Sequence, residues 1–108
     1  MNVREAAFLS LGKCTPGGKY SNLEVDSAIK KYGFTGSDRA FFTALVYGTI
    51  EKRITLDYVI SRFSSKPPEK LEPKVLDILR LGAYQILFLD RVPDSAACNE
   101  SVELAKYH

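Results

Sequence analysis

Apolar residues recur at helical spacing through almost the whole chain, and no segment alternates with the period of two that a half-buried strand requires. That property restricts the fold to packed helices, and the breaks in the pattern count them. A first helix over residues 3–13 places Ala6, Ala7, Leu9 and Leu11 on most of two faces. Thr15-Pro16-Gly17-Gly18 ends it, because proline and paired glycines cannot continue helical geometry. Ser21-Asn22-Leu23-Glu24 reads as a capping box, which starts a second helix to about Lys31 with Val25, Ala28 and Ile29 inward. Gly33 is its stop.

The third helix runs from about Ser37 to Lys52. Phe41, Ala44, Leu45 and Gly48 form one face and Phe42, Val46 and Ile50 widen it, so it belongs near the centre of a bundle. Gly48 costs about 1 kcal/mol relative to alanine, which points to a helix passing close by. Thr55 is placed to cap a short fourth helix ending about Phe63, and residues 64–70 form a polar, proline-rich loop inside the domain. Pro73 suits the first turn of a fifth helix, where its missing N–H is not needed. Val75, Leu76, Leu79, Ala83, Ile86 and Leu87 are expected inward, with Lys74, Asp77 and Arg80 on a wetter face. Pro93 forces Val92 out of helix, and Asp94 or Ser95 caps a sixth helix that packs Ala97, Val102, Leu104 and Ala105.

The 108 residues are enough for one modest domain. Hydrophobic residues make up 45% and charged residues 26%, which excludes a disordered chain. No apolar run reaches membrane-spanning length, and the start of the sequence lacks a signal-peptide pattern. Cys14 and Cys98 lie too far apart for a zinc motif and read as free thiols in a reducing compartment, so a cytoplasmic location is expected. The net charge is +2, distributed as +3 over residues 1–54 and −1 over residues 55–108. A mildly basic first half is compatible with RNA binding without demanding it.

Catalytic chemistry is not visible. The lone histidine, His108, has no partner at ligand spacing, and no glycine-rich loop follows a strand. Asp38/Arg39 and Asp90/Arg91 read as charge pairs at helix ends, and Glu100/Glu103 as a solvated helix face. Phe41, Phe42, Phe63 and Phe88 sit on apolar faces and are expected in the core. Tyr20, Tyr47, Tyr58 and Tyr84 have two readings: stacking on unpaired bases, or burying the ring and leaving the hydroxyl in water.

Three features together resemble the NusB-like helical domain. They are Arg4 and Ala7 in the opening helix, Asp38-Arg39-Ala40-Phe41-Phe42 with Leu45-Val46-Tyr47-Gly48 and Leu56-Asp57-Tyr58, and the segment 79–106. Within the last, Pro93-x-x-Ala96-x-x-Asn99-Glu100-x-Val102-Glu103-Leu104-Ala105-Lys106 is similar to free NusB antitermination factors. Gly82-Ala83-Tyr84-Gln85-Ile86 and Phe88-Leu89-Asp90-Arg91-Val92-Pro93 look more like the version at the N-terminus of Sun-type ribosomal RNA cytosine-5 methyltransferases.

The resemblance implies an all-α, NusB-like helical bundle of two small subdomains, forming a single domain over residues 1–108. It implies a non-catalytic RNA-binding module. Its partners would be ribosomal RNA and a catalytic methyltransferase domain in cis, with no membrane. S-adenosylmethionine would belong to the full-length enzyme and no cofactor to this chain. Arg4, Lys13, Arg39, Lys52, Arg53 and Arg91 are the candidates for phosphate contact. In both branches of the family a further helix with a Phe-Val-Asn-x-Val-Leu pattern follows, so the sequence reads as an N-terminal piece of a longer protein. The absent helix is expected to leave an apolar strip on the third, fifth or sixth helix, which a partner or a second copy forming a homodimer would cover. The rivals are a helical module docking the catalytic domain and a free transcription antitermination factor.

Overall fold

Asn2 starts the first helix. Its Oδ1 accepts from the backbone N–H of Arg4 at 2.8 Å and of Glu5 at 3.3 Å, which satisfies two of the amides that a helix leaves open. α1 (Val3–Lys13) follows. The computed structural model describes residues 1–14 and 20–89 together with Ser101 and Ala105. Among these the elements are α1, α2 (Ser21–Tyr32), α3 (Gly36–Glu51), α4 (Arg53–Phe63), a 3₁₀ turn at Pro68–Lys70, and α5 (Pro73–Phe88), with no strand. The fold is all-helical, as the periodicity requires. Ser101 and Ala105 are helical too, and the rest of the expected sixth helix lies outside the described residues, as do Arg91, Cys98, Glu100 and Glu103.

The chain forms two units, Met1–Glu51 and Lys52–His108. In the first, α1 packs on α3 and α2, and α2 packs on α3. Ala6 and Ala7 are fully buried, and small side chains there let α1 lie close to its neighbours. Phe8, Val25, Ala28, Phe42, Leu45 and Val46 complete the core. Phe34, in the short link to α3, stands between Tyr32 and Phe42 with ring centroids 5.8 Å and 5.2 Å away. Gly33 ends α2 at φ 70°, a left-handed cap that costs a β-carbon dearly, and its N–H donates to the Ile29 carbonyl.

The capping box expected at Ser21 does not form. α2 begins at Ser21 itself, preceded by Tyr20 at φ 69°, and Glu24 turns away from the backbone to accept from the Ser10 hydroxyl at 3.0 Å. A buried Ser10 needs a partner more than an exposed helix end does. Thr55 likewise sits inside the first turn of α4, whose cap position is Lys52.

In the second unit α4 packs on α5. Lys52 stands beside Phe88 and Asp57 beside Arg80, so the two helices run antiparallel. The core here is Leu56 and Ile60 of α4 against Ile78 and Leu81 of α5. This corrects the expected inward face of α5. Val75, Leu79, Ile86 and Leu87 are 40–49% exposed, and Ile78, Leu81, Gly82 and Gln85 are buried instead. Apolar residues surround α5 almost completely, so its period alone does not select a face. The ion pair from Arg80 to Asp57 fixes the rotation. Phe63, expected in the core, is 87% exposed.

Gly82 meets a neighbour closely. A β-carbon there would lie 2.8 Å from Ser101 Oγ, so Gly82 lets Ser101 approach α5 closely. Gly48, flagged for a similar approach, is buried in α3.

Candidate nucleic-acid interface

The predicted phosphate contacts are held by different devices. Arg4 lies in the first turn of α1, where its guanidinium carbon sits 5.1 Å from the centroid of the Phe41 ring on α3. The ring fixes the direction of the guanidinium. Lys13 lies at the other end of α1, nine residues on, which is half a turn around the helix. It approaches Glu24 Oε1 at 3.9 Å, a loose surface pair that an incoming phosphate can replace. The two cations therefore share a helix but not a face.

Arg39 is exposed on α3, about 200° around that helix from Phe41, on nearly the opposite side from the Arg4 stack. The expected Asp38/Arg39 ion pair is not among those of the described residues. Asp38 occupies the first turn of α3, where a carboxylate complements the helix dipole. Lys52 and Arg53 belong to the second unit, both half-buried at the start of α4. The Lys52 ammonium lies 5.4 Å from the centroid of the Phe88 ring, and Phe88 stacks on Tyr84 one turn earlier in α5, at 5.6 Å and 27°. Phe88 is 39% exposed and is no core residue. Of the other tyrosines, Tyr20 and Tyr58 are exposed and Tyr47 is half-buried.

Periodicity did not reveal the cation–aromatic contacts or the acidic cluster in the second unit. Arg80 grips Asp57 with both forks, Nε to Oδ1 at 2.7 Å and Nη2 to Oδ2 at 2.8 Å, and reaches Asp77 at 3.6 Å. Burial pushes the Asp77 carboxyl above its usual value of 3.8, Arg80 pulls it down, and Asp57 pushes it up. The signal was present in the i, i+3 spacing of Asp77 and Arg80 and the i, i+4 spacing of Tyr84 and Phe88. The partners on α4 and at Lys52 are tertiary, and no spacing within one helix names them.

An apolar groove of about 550 Å³ runs between α4 and α5, lined by Val59, Phe63, Leu79, Ala83 and Ile86, with Ser101 at its edge. It carries almost no polar chemistry. Among the described residues no group of three or more His, Cys, Asp or Glu is arranged to hold a metal, and no strand leads into a glycine turn suited to a nucleotide-like cofactor such as S-adenosylmethionine. No helix of the described residues is long and apolar enough to cross a membrane.

Residues 1–108 match the NusB family from end to end. The chain belongs to the NusB family. Similar proteins fall into two groups. The probable ribosomal RNA small subunit methyltransferase B of Bacillus subtilis is 42% identical over 105 residues, covering 97% of this chain and 23% of that protein. Its counterpart in Synechocystis is 39% identical over 106 residues, 98% of this chain and 24% of that protein. The transcription antitermination protein NusB of Ruminiclostridium cellulolyticum is 34% identical over 84 residues, 77% of this chain and 58% of that protein. This NusB-family chain thus spans about a quarter of the length of the methyltransferases it matches. No solved structure matches it.

Proposed function

We propose that this chain is the non-catalytic RNA-binding domain of a cytoplasmic ribosomal RNA cytosine-5 methyltransferase. One observation carries the reading: nearly the whole chain is similar to less than a quarter of proteins named as ribosomal RNA methyltransferases. The methyl transfer and S-adenosylmethionine then belong to the remaining length of such a protein, and this chain supplies grip on the RNA. Arg4, Lys13, Arg39, Lys52, Arg53 and Arg91 are the phosphate contacts. Arg4 is the best prepared of them, because Phe41 already orders its side chain.

Lysine and arginine bind phosphate by releasing counterions, so the affinity falls steeply with salt. The test is a titration of a labelled ribosomal RNA hairpin at two salt concentrations. Tight binding at low salt that weakens by about tenfold or more at physiological salt is expected. Absence of binding at low salt, or binding indifferent to salt, overturns the reading.

A second reading has a specific observation behind it. The groove between α4 and α5 and the exposed Val75, Leu79 and Ile86 offer an apolar surface of the kind that docks protein. In this reading the occupant is the catalytic domain in cis. The two readings are compatible, since the groove and the cation sites use different residues.

A further inference from the structure

We propose that Phe88, backed by Tyr84 and covered by Lys52, is a stacking site for one unpaired base of a single-stranded RNA. The proposal rests on the RNA-binding reading above and adds a contact to bases where that reading has only phosphates.

Phe88 lies on an apolar stretch yet is 39% exposed. Its ring is held in place by Tyr84, stacked at 5.6 Å one helical turn away. Lys52 holds its ammonium 5.4 Å from the ring centroid, and Arg53 follows it in sequence. On α4 the Asp57 carboxylate, five residues after Lys52, is already engaged by Arg80. A rigid aromatic face and a cation side by side match the two chemistries of a nucleotide, a flat base and a phosphate.

An ammonium that is still partly solvated, as that of half-buried Lys52, gains less from a ring than a stacked base does. A base can therefore take the ammonium's place on Phe88 while Lys52 moves to a phosphate of the same strand. An apolar protein surface fits less well, because it would bury the Lys52 ammonium with no acceptor. The stack is also unlike that at Arg4, whose partner Phe41 is already half-buried against α1 and has less ring to offer.

The experiment uses the 108-residue chain and an unpaired oligoadenylate RNA of about 10 nucleotides, carrying 2-aminopurine at one internal position in turn. Stacking on Phe88 quenches the 2-aminopurine at one or more positions. Phe88→Leu should weaken binding by roughly 5- to 50-fold without changing the salt dependence. Phe88→Tyr, which keeps the ring, should restore binding to within about 2-fold. Lys52→Met should reduce the salt slope by about 1.

Salt-dependent binding by the parent chain with Phe88→Leu binding equally well overturns the stacking site and leaves the RNA reading standing. No binding by the parent chain at low salt overturns both. If Phe88→Leu loses helicity, the parent chain still decides the matter: a bound RNA with no quenched position overturns the proposal.

Discussion

In Met1–Glu51 the large apolar side chains Phe8, Phe34, Phe42 and Leu45 are buried, whereas in Lys52–His108 Phe63, Leu79, Leu87 and Phe88 remain at the surface. The first unit closes its core with three helices, each in contact with the other two. The described part of the second rests on α4 and α5, a two-helix contact that buries Leu56, Ile60, Ile78 and Leu81. Two helices cannot enclose a helix that is apolar all round. The difference is in what is covered: the first unit buries its large apolar side chains, and the described part of the second keeps exposed apolar and aromatic surface together with the Arg80–Asp57 ion pair.

The largest expected effect lies in the first unit. Phe42 is fully buried against the Phe34 ring, so Phe42→Ala should cost about 4 kcal/mol in urea unfolding. A cost below about 1 kcal/mol would remove the contrast between the units.

Next comes the Arg80–Asp57 ion pair. Arg80→Ala leaves Asp57 and Asp77 side by side and half-buried with no cation, at a cost of about 2 kcal/mol. Arg80→Lys should recover only part of this, because an ammonium cannot reproduce the two-forked bond. Full recovery would mean that charge alone orients α5.

The same cluster predicts a pH dependence. Burial holds the Asp77 carboxyl above 3.8, so the folded chain keeps this proton more firmly than the unfolded one. The contribution to stability is present below the unfolded value and is lost as pH rises through the raised folded value. Asp77→Asn abolishes that loss. Denaturation between about pH 4 and 7 should show a stability that falls less with rising pH in the variant than in the parent. Identical slopes would contradict the assignment.

The smallest effect is expected on the exposed flank. Leu79 is 40% exposed, so Leu79→Ser should cost less than about 1 kcal/mol, against several for a buried leucine such as Leu45. A large cost would show that the flank is covered in the isolated chain.

Much of this was legible in the sequence. α1 spans residues 3–13 as its pattern requires, Gly33 stops α2, and Pro73 opens α5, because each rests on local sterics that no distant residue changes. The face of α5 was not legible. Its selection depends on Asp57, twenty-three residues before Arg80, and on the close approach of Ser101 to Gly82. The capping role of Glu24 was lost for a similar reason, since the Ser10 hydroxyl reached it from another helix. The candidate cations were readable as residue types. Their aromatic partners on other helices were not, since Phe41 and Phe88 lie far from Arg4 and Lys52 in sequence.

The most direct test of the RNA-binding reading is amide shift mapping of the ¹⁵N-labelled chain as single-stranded RNA is added at low salt. The account predicts shifts centred on Arg4 in the first unit and on Lys52 and Phe88 in the second, with Val75, Leu79 and Ile86 unmoved. Shifts confined to Val75, Leu79 and Ile86, or none at all, would contradict it.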